Sequence, residues 1–245
     1  MAGRALAISP NANDAAFNHP GPKNPPHPNP PGQSKGPQCL LRGTRVRTPS
    51  GWRFVEELEV GAELETLDGV MPVRWVGVSR YRVSDKGGGA ALPIRVARSA
   101  LAENVPSQDL YLSPDHALFL DGVFVPVKYL ENGTTITRAS LTSARTLDYY
   151  HVELATHQVI FAEDLPVETL LVYEPAVRER FANFVQYERT YGAADAAMIP
   201  FAPFVRYGGA FDEVKALARL VASSVIDVRD PIQVIYDRVA ERAHA

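Results

Sequence analysis

CLLRGTRVRTPSGWRFVEELEVGAELETLDG, residues 39–69, decides the fold class. Apolar and polar residues alternate in TRVRT (44–48) and in WRFV (52–55), with Pro49-Ser50-Gly51 between them. AELETL (62–67) then runs into Asp68-Gly69 and on into MPVRWVGVSRYRV (71–83). A period of two puts successive side chains on opposite faces of a strand, and Gly, Pro and Asp at the joints suit tight turns, so the stretch predicts consecutive β-hairpins. The same pattern continues through LPIRVA (92–97), DLYL (109–112), ALFL (117–120), Asp121-Gly122 and VFVPV (123–127). It ends with TLDYYHVEL (146–154), expected to pair with HQVIFA (157–162). Brief helical turns are expected at 55–58 and 127–130. Residues 39–172 therefore read as one mainly β domain.

On the N-terminal side, residues 11–37 are dominated by Pro, Asn, Gly and Ala and carry few large apolar side chains. Such a composition cannot bury enough surface to offset chain entropy, so residues 1–38 are expected to form a disordered or extended leader. On the C-terminal side the period becomes helical over 173–245. Pro175 suits a first helical position, with Val177, Phe181, Phe184 and Val185 on one face. Val214, Leu217, Ala218 and Val221 make a second stripe, and Asp230-Pro231 opens a third with Ile232, Ile235, Tyr236 and Val239. This helical appendage carries balanced acidic and basic side chains, so packing or contact with a protein partner suits it better than nucleic acid.

Composition narrows the function classes. The chain has 245 residues, is 46% hydrophobic and has a net charge of −3, an ordinary globular composition with no electrostatic footprint for nucleic acid. No apolar run reaches the roughly 18 to 20 residues of a membrane span, and the first residues lack a secretory signal, so a soluble protein is expected. The single cysteine excludes an internal disulfide and any multi-cysteine metal site.

That cysteine, Cys39, stands where the leader stops and the domain starts. A lone cysteine is by default a small buried hydrophobe. A thiol at the first residue of a domain can instead attack the carbonyl before it, here that of Gln38, turning the amide into a thioester by an N-to-S acyl shift. The nitrogen must be protonated as it leaves, which suits a histidine. His19 and His27 fall in the leader and His244 at the end, leaving His116, His151 and His157. His116 closes the turn Ser113-Pro114-Asp115-His116 between two strand candidates. Ser113 could hydrogen-bond the imidazole or the scissile backbone, as a supporting donor for a developing oxyanion, and Asp115 could orient His116 or cap the turn. Each histidine also has a purely structural reading. A zinc site of His116, His151 and His157 with Asp115 or Glu153 is disfavoured, because the spacing fixes no common ligand direction.

Residues 39–69 resemble the opening block of Hint (hedgehog/intein) domains: an initial Cys, a Gly-Thr-x-Val strand, a hairpin, a Val-Glu-x-Leu turn and a Val-Gly-x-x-Leu step. SPDHALFL (113–120) resembles the second block, with Ser113 and His116 at its Thr-x-x-His positions, and YYHVELATHQVIFAEDLPVET (149–169) the closing strands. The resemblance is to stand-alone bacterial Hint proteins, and implies a horseshoe of β-hairpins and self-processing at Gln38-Cys39 without cofactor or metal. Cys39, His116, Ser113 and His151 are the catalytic candidates it implies, with His157 and Asp115 in support. Counting from His157, the His-Asn pair that ends splicing inteins falls on Glu168 and Thr169. Without that asparagine the C-terminal junction cannot be cut, so cleavage at the N-terminal junction is implied, the leader being the substrate and water or a small nucleophile the resolving group. Two alternatives stay open: a catalytically silent Hint-fold binding or structural module, for which a Pro-rich leader of no evident value as cargo speaks, and a Hint module carrying a helical effector.

Overall fold

The computed structural model describes residues 8–9, 38–82, 92–141, 146–173, 175–192, 197–205 and 231–243. Two sheets account for most of it. In the first, β3 (Arg45–Thr48) and β4 (Gly51–Phe54) form one hairpin, and β5 (Glu63–Thr66) and β6 (Gly69–Pro72) another. β10 (Ala117–Leu120) pairs with β11 (Val123–Pro126), and β15 (Val159–Ala162) with β16 (Leu165–Glu168). The path runs β11-β10-β16-β15-β3-β4, with β5 joined to β15. The second sheet runs β12 (Ile136–Arg138), β8 (Ile94–Val96), β9 (Leu110–Leu112), β2 (Leu40–Leu41), β14 (Thr146–Glu153) and β7 (Trp75–Arg82). The mainly β architecture expected from the hairpin pattern is the one observed.

The turns follow the local chemistry. Asp121 and Gly122 both sit at positive φ (49° and 82°) in the two-residue link between Leu120 and Val123, the backbone a primed turn requires. Glu163 and Asp164 adopt the same region without a glycine. There the Glu163 carboxylate accepts from the Arg45 N–H at 2.8 Å and clamps the Arg45 guanidinium, holding a conformation that a bare chain would resist. The helical turns expected after the β3–β4 and β10–β11 hairpins are 3-10 helices at Val55–Glu57 and Val127–Leu130.

Pairing departs from the sequence expectation in two places. The run 71–83 is not one strand: it breaks at Val73-Arg74, where the Val73 N–H still bonds Ala62 while the Arg74 N–H already bonds Glu153. The chain changes sheet there. In addition β14 does not pair with β15; it lies between β2 and β7, with Leu147 and Tyr149 on one face in the cluster of Leu41 and Trp75 and Tyr150 and Val152 on the other in the main core, while β15 belongs to the first sheet.

The main core gathers Val46, Leu64, Ile94, Leu112, Leu118, Ile160 and Val167 between the sheets, with Ile235 and Val239 among them. These last two come from helix α2 (Pro231–Ala243), which starts at the proline singled out from the sequence. Helix α1 covers Phe184–Tyr191, preceded by a 3-10 turn at Pro175–Arg178. Because the α-helix begins only at Phe184, Val185 points outward at 54% exposure instead of sharing a face with Val177 and Phe181. The stripe Val214–Val221 lies outside the described residues, as does the leader apart from Gln38 and β1 (Ile8–Ser9), which pairs with β13 (Ser140–Leu141).

Candidate active site

Strand register sets what lies beside Cys39. Leu40 faces Leu112 on β9 and Tyr150 on β14, so one step back along the antiparallel ladders Cys39 falls between Ser113 and His151. Its pairing with Ser113 runs both ways: the Cys39 N–H donates to Ser113 Oγ at 2.6 Å, and the Ser113 N–H donates to the Cys39 carbonyl at 2.9 Å. The nitrogen held by Ser113 is that of the Gln38–Cys39 peptide. Ser113 therefore bonds the Gln38–Cys39 backbone, one of the two partners expected from the sequence, but as an acceptor at nitrogen and not as a donor to oxygen.

His116 lies on the turn that carries the chain from β9 in one sheet to β10 in the other. The turn is pinned on both sides: the His116 N–H bonds the Ser113 carbonyl, and the Val127 and Lys128 N–H groups bond the carbonyls of His116 and Pro114. Asp115 pairs with the Lys128 ammonium, so it ties this turn to the 3-10 helix and does not orient the imidazole. The rings of His116 and His151 lie 5.2 Å apart, tilted by 45°. Both are buried, and none of their nitrogens has a hydrogen-bond partner among the described residues. Burial drives His116 down to about 3, opposed by the backbone carbonyl of Gln38, which favours the protonated ring. His151 is pushed well below the usual histidine range, by burial first and then by the fields of His116 and Arg180. The Gln38 carbonyl is thus close enough to act on His116 but short of hydrogen-bond geometry.

His157 opens the approach to β15. Its Nδ1 accepts from the Phe201 N–H at 3.0 Å, and its ring packs against Phe124 and Phe204. Burial lowers it to about 4, while the Thr169 backbone favours its charge. These contacts make it a wall of the site. Of the carboxylates considered for zinc, Asp115 is engaged by Lys128 and Glu153 by Arg178, whose guanidinium donates to both of its oxygens at 2.7 and 2.8 Å.

Glu168 was legible from the sequence only as a residue that is not histidine. Its carboxyl is buried, accepts from the Ala117 N–H at 2.7 Å and lies 3.9 Å from His157 Nε2. Burial raises it to about 8, so the acid is mostly neutral near pH 7. Cys39 is fully buried and its thiol is pushed up to about 12, by burial above all, with Arg180 acting against that shift and Glu168 adding to it. Burial therefore favours the uncharged forms of Cys39, His116 and Glu168 alike.

The C-terminal segment supplies the rest of the surroundings. Phe181 sits over Gly77, edge-on to Trp75 at 5.3 Å and 6.4 Å from the His151 ring. Arg180, beside it, donates to Gln38 Oε1 at 3.2 Å. Nothing in the sequence singles out Arg180, because it lies in a segment whose apolar spacing speaks only of packing.

The family model described as Hint domain matches residues 38–174. Among solved structures, the chain is similar to a bacterial intein-like domain from Clostridium thermocellum (11% identity, TM-score 0.40, covering 55% of this chain and 99% of that one). It is also similar to the MchDnaB-1 intein (19% identity, TM-score 0.36, 52% and 98%) and to a DnaB intein from Synechocystis sp. PCC 6803 (12% identity, TM-score 0.36, 54% and 99%). No curated protein matches. With residues 38–174 of its 245 in the matched region, this chain belongs to the Hint domain family.

Proposed function

We propose that this Hint domain cleaves its own backbone once, at Gln38–Cys39. The observation that carries the reading is the placement of that peptide: its nitrogen is held by Ser113 Oγ at 2.6 Å, and its carbonyl acts on the buried ring of His116. The Cys39 thiol passes its proton to His116, and sulfur attacks the Gln38 carbonyl carbon. As the carbon–nitrogen bond breaks, the same proton moves from His116 to the departing Cys39 nitrogen, leaving a thioester. Water then attacks the thioester, giving a carboxylate on Gln38 and returning the thiol. Burial of Cys39 excludes solvent until the acyl shift has occurred, and intramolecular attack lowers the entropic barrier. Thr169 stands where splicing requires asparagine, which restricts the chemistry to this one junction.

The segment preceding Cys39 is the substrate, and no cofactor enters the scheme. The expected result is that the purified chain, incubated with a thiol or hydroxylamine, loses residues 1–38 by intact mass while Cys39→Ala does not. Equal and unchanged masses for the two chains would sink the proposal. One observation favours a second reading, a catalytically silent module: with the thiol near 12 and the imidazole near 3, passing the proton from Cys39 to His116 is strongly uphill. A silent module keeps its N-terminal residues in the same experiment.

A further inference from the structure

Resting on the cleavage reading, we propose that Arg180 is a positioning residue that reads the side chain before Cys39, so that the C-terminal segment completes the processing site and selects Gln38. Arg180 is itself exposed, but it lies between buried Arg178 and buried Phe181. Arg178, two residues earlier, is buried in a two-pronged ion pair with Glu153 and lies over the Tyr187 ring at 4.4 Å. Phe181, the next residue, is buried against Trp75 and Gly77, and the Ala182 N–H bonds the Val78 carbonyl at 2.7 Å. Asn183 then bridges Val76 and Val78 with both ends of its amide. The backbone that carries Arg180 is fixed on both sides in this way, so only its side-chain rotamers remain to be ordered when it binds.

The geometry suits recognition of an amide or carboxylate oxygen. Arg180 Nη2 lies 3.2 Å from Gln38 Oε1, and its guanidinium lies 5.3 Å from the Phe181 ring centre, so the cation is braced from behind. A planar donor of this kind accepts oxygen and repels a cation. Holding Gln38 also sets the direction of the backbone that presents its carbonyl to Cys39. The same positive charge is the strongest influence acting against the burial of the Cys39 thiol.

A charge-exchange experiment on the full chain tests the assignment, with two readouts. The first is the rate constant for release of residues 1–38 under a fixed thiol concentration. The second is amide hydrogen exchange at residue 39 in Cys39→Ala versions, which cannot cleave. Gln38→Glu should keep the wild-type rate, and Gln38→Lys should slow release about five- to tenfold, the value of one hydrogen bond at 1–1.4 kcal/mol. Arg180→Glu should slow release similarly, and Gln38→Lys combined with Arg180→Glu should recover it to within about threefold. Exchange at residue 39 should rise in each single Lys or Glu variant that opposes like charges or removes the donor, and fall again in the exchanged pair. Arg238→Ala, which removes an exposed pair with Asp121, serves as a control that changes neither. If position 180 alters both readouts equally whatever stands at 38, or alters neither, the assignment is overturned. If no chain cleaves but exchange at residue 39 still follows the charge pairing, the contact stands and the cleavage reading fails. If neither responds, both fail.

Discussion

Glu168 and the histidines around Cys39 carry opposite pH signatures, and the carboxyl can be isolated. An acid raised from 4.5 to about 8 keeps its proton in the folded chain while the unfolded chain has already released it. The fold therefore loses the contribution of Glu168 as pH rises from about 4.5 to 8. His116 and His157, lowered to about 3 and about 4, act in reverse. Their contribution is complete above 6.5 and is lost as pH falls below it, because only the unfolded chain takes up protons there. Glu168→Gln preserves an acceptor for the Ala117 N–H but removes the titration. In a Cys39→Ala background, the variant should match its parent near pH 4.5 and gain on it steadily up to pH 8, by as much as a few kcal/mol, read as urea midpoints. Parallel curves would mean that the carboxyl titrates normally. Cys39, Ser113 and His116 were legible because each lies within a local block of sequence. Glu168 was not, because its importance arises from the Ala117 N–H, fifty-one residues away.

Among the elements, hairpins were readable and their partners were not. Asp121-Gly122 forces its turn through two residues at positive φ, whereas the choice of β7 over β15 as the partner of β14 is made by the core of a whole sheet. The contact between β7 and the C-terminal segment shows the same non-local control. Gly77 is opposite His151 in the β7–β14 register, and a Cβ added there would lie 2.7 Å from the Phe181 ring. Gly77→Ala should therefore cost about 1–3 kcal/mol by forcing the ring out of its place. The cost should nearly vanish in a Phe181→Ala background, since residues in contact are not additive. Urea unfolding of the four chains gives the coupling directly, and a Gly77→Ala cost that persists without Phe181 would assign it to the strand and not to the ring.

At the scale of the whole molecule, the segment after Tyr173 shares its core with the β domain. Val177, Phe181 and Tyr187 share one buried cluster with Leu41, Trp75 and Val172. Phe201 packs on Phe119 and Phe204 on Phe124, beside which the chain runs from Pro203 to Val205 with backbone bonds to Phe124. Sequence periodicity found apolar faces in this region but could not say what they cover, since a stripe looks the same whether it meets a sheet or another copy. Removing everything after Tyr173 would strip Arg178 from the buried Glu153 carboxylate, a loss of about 3–5 kcal/mol when one partner of such a pair goes. It would also uncover several aromatic side chains, each of which contributes about 1.5–3 kcal/mol by burial. Together these approach the roughly 5–15 kcal/mol that stabilises an ordinary domain. A chain of residues 38–173 should therefore unfold at a much lower urea concentration than the full chain in a Cys39→Ala background, or fail to fold. If both unfold at the same midpoint, the C-terminal segment is a dispensable appendage, and the stability of the Cys39 site belongs to the two sheets alone.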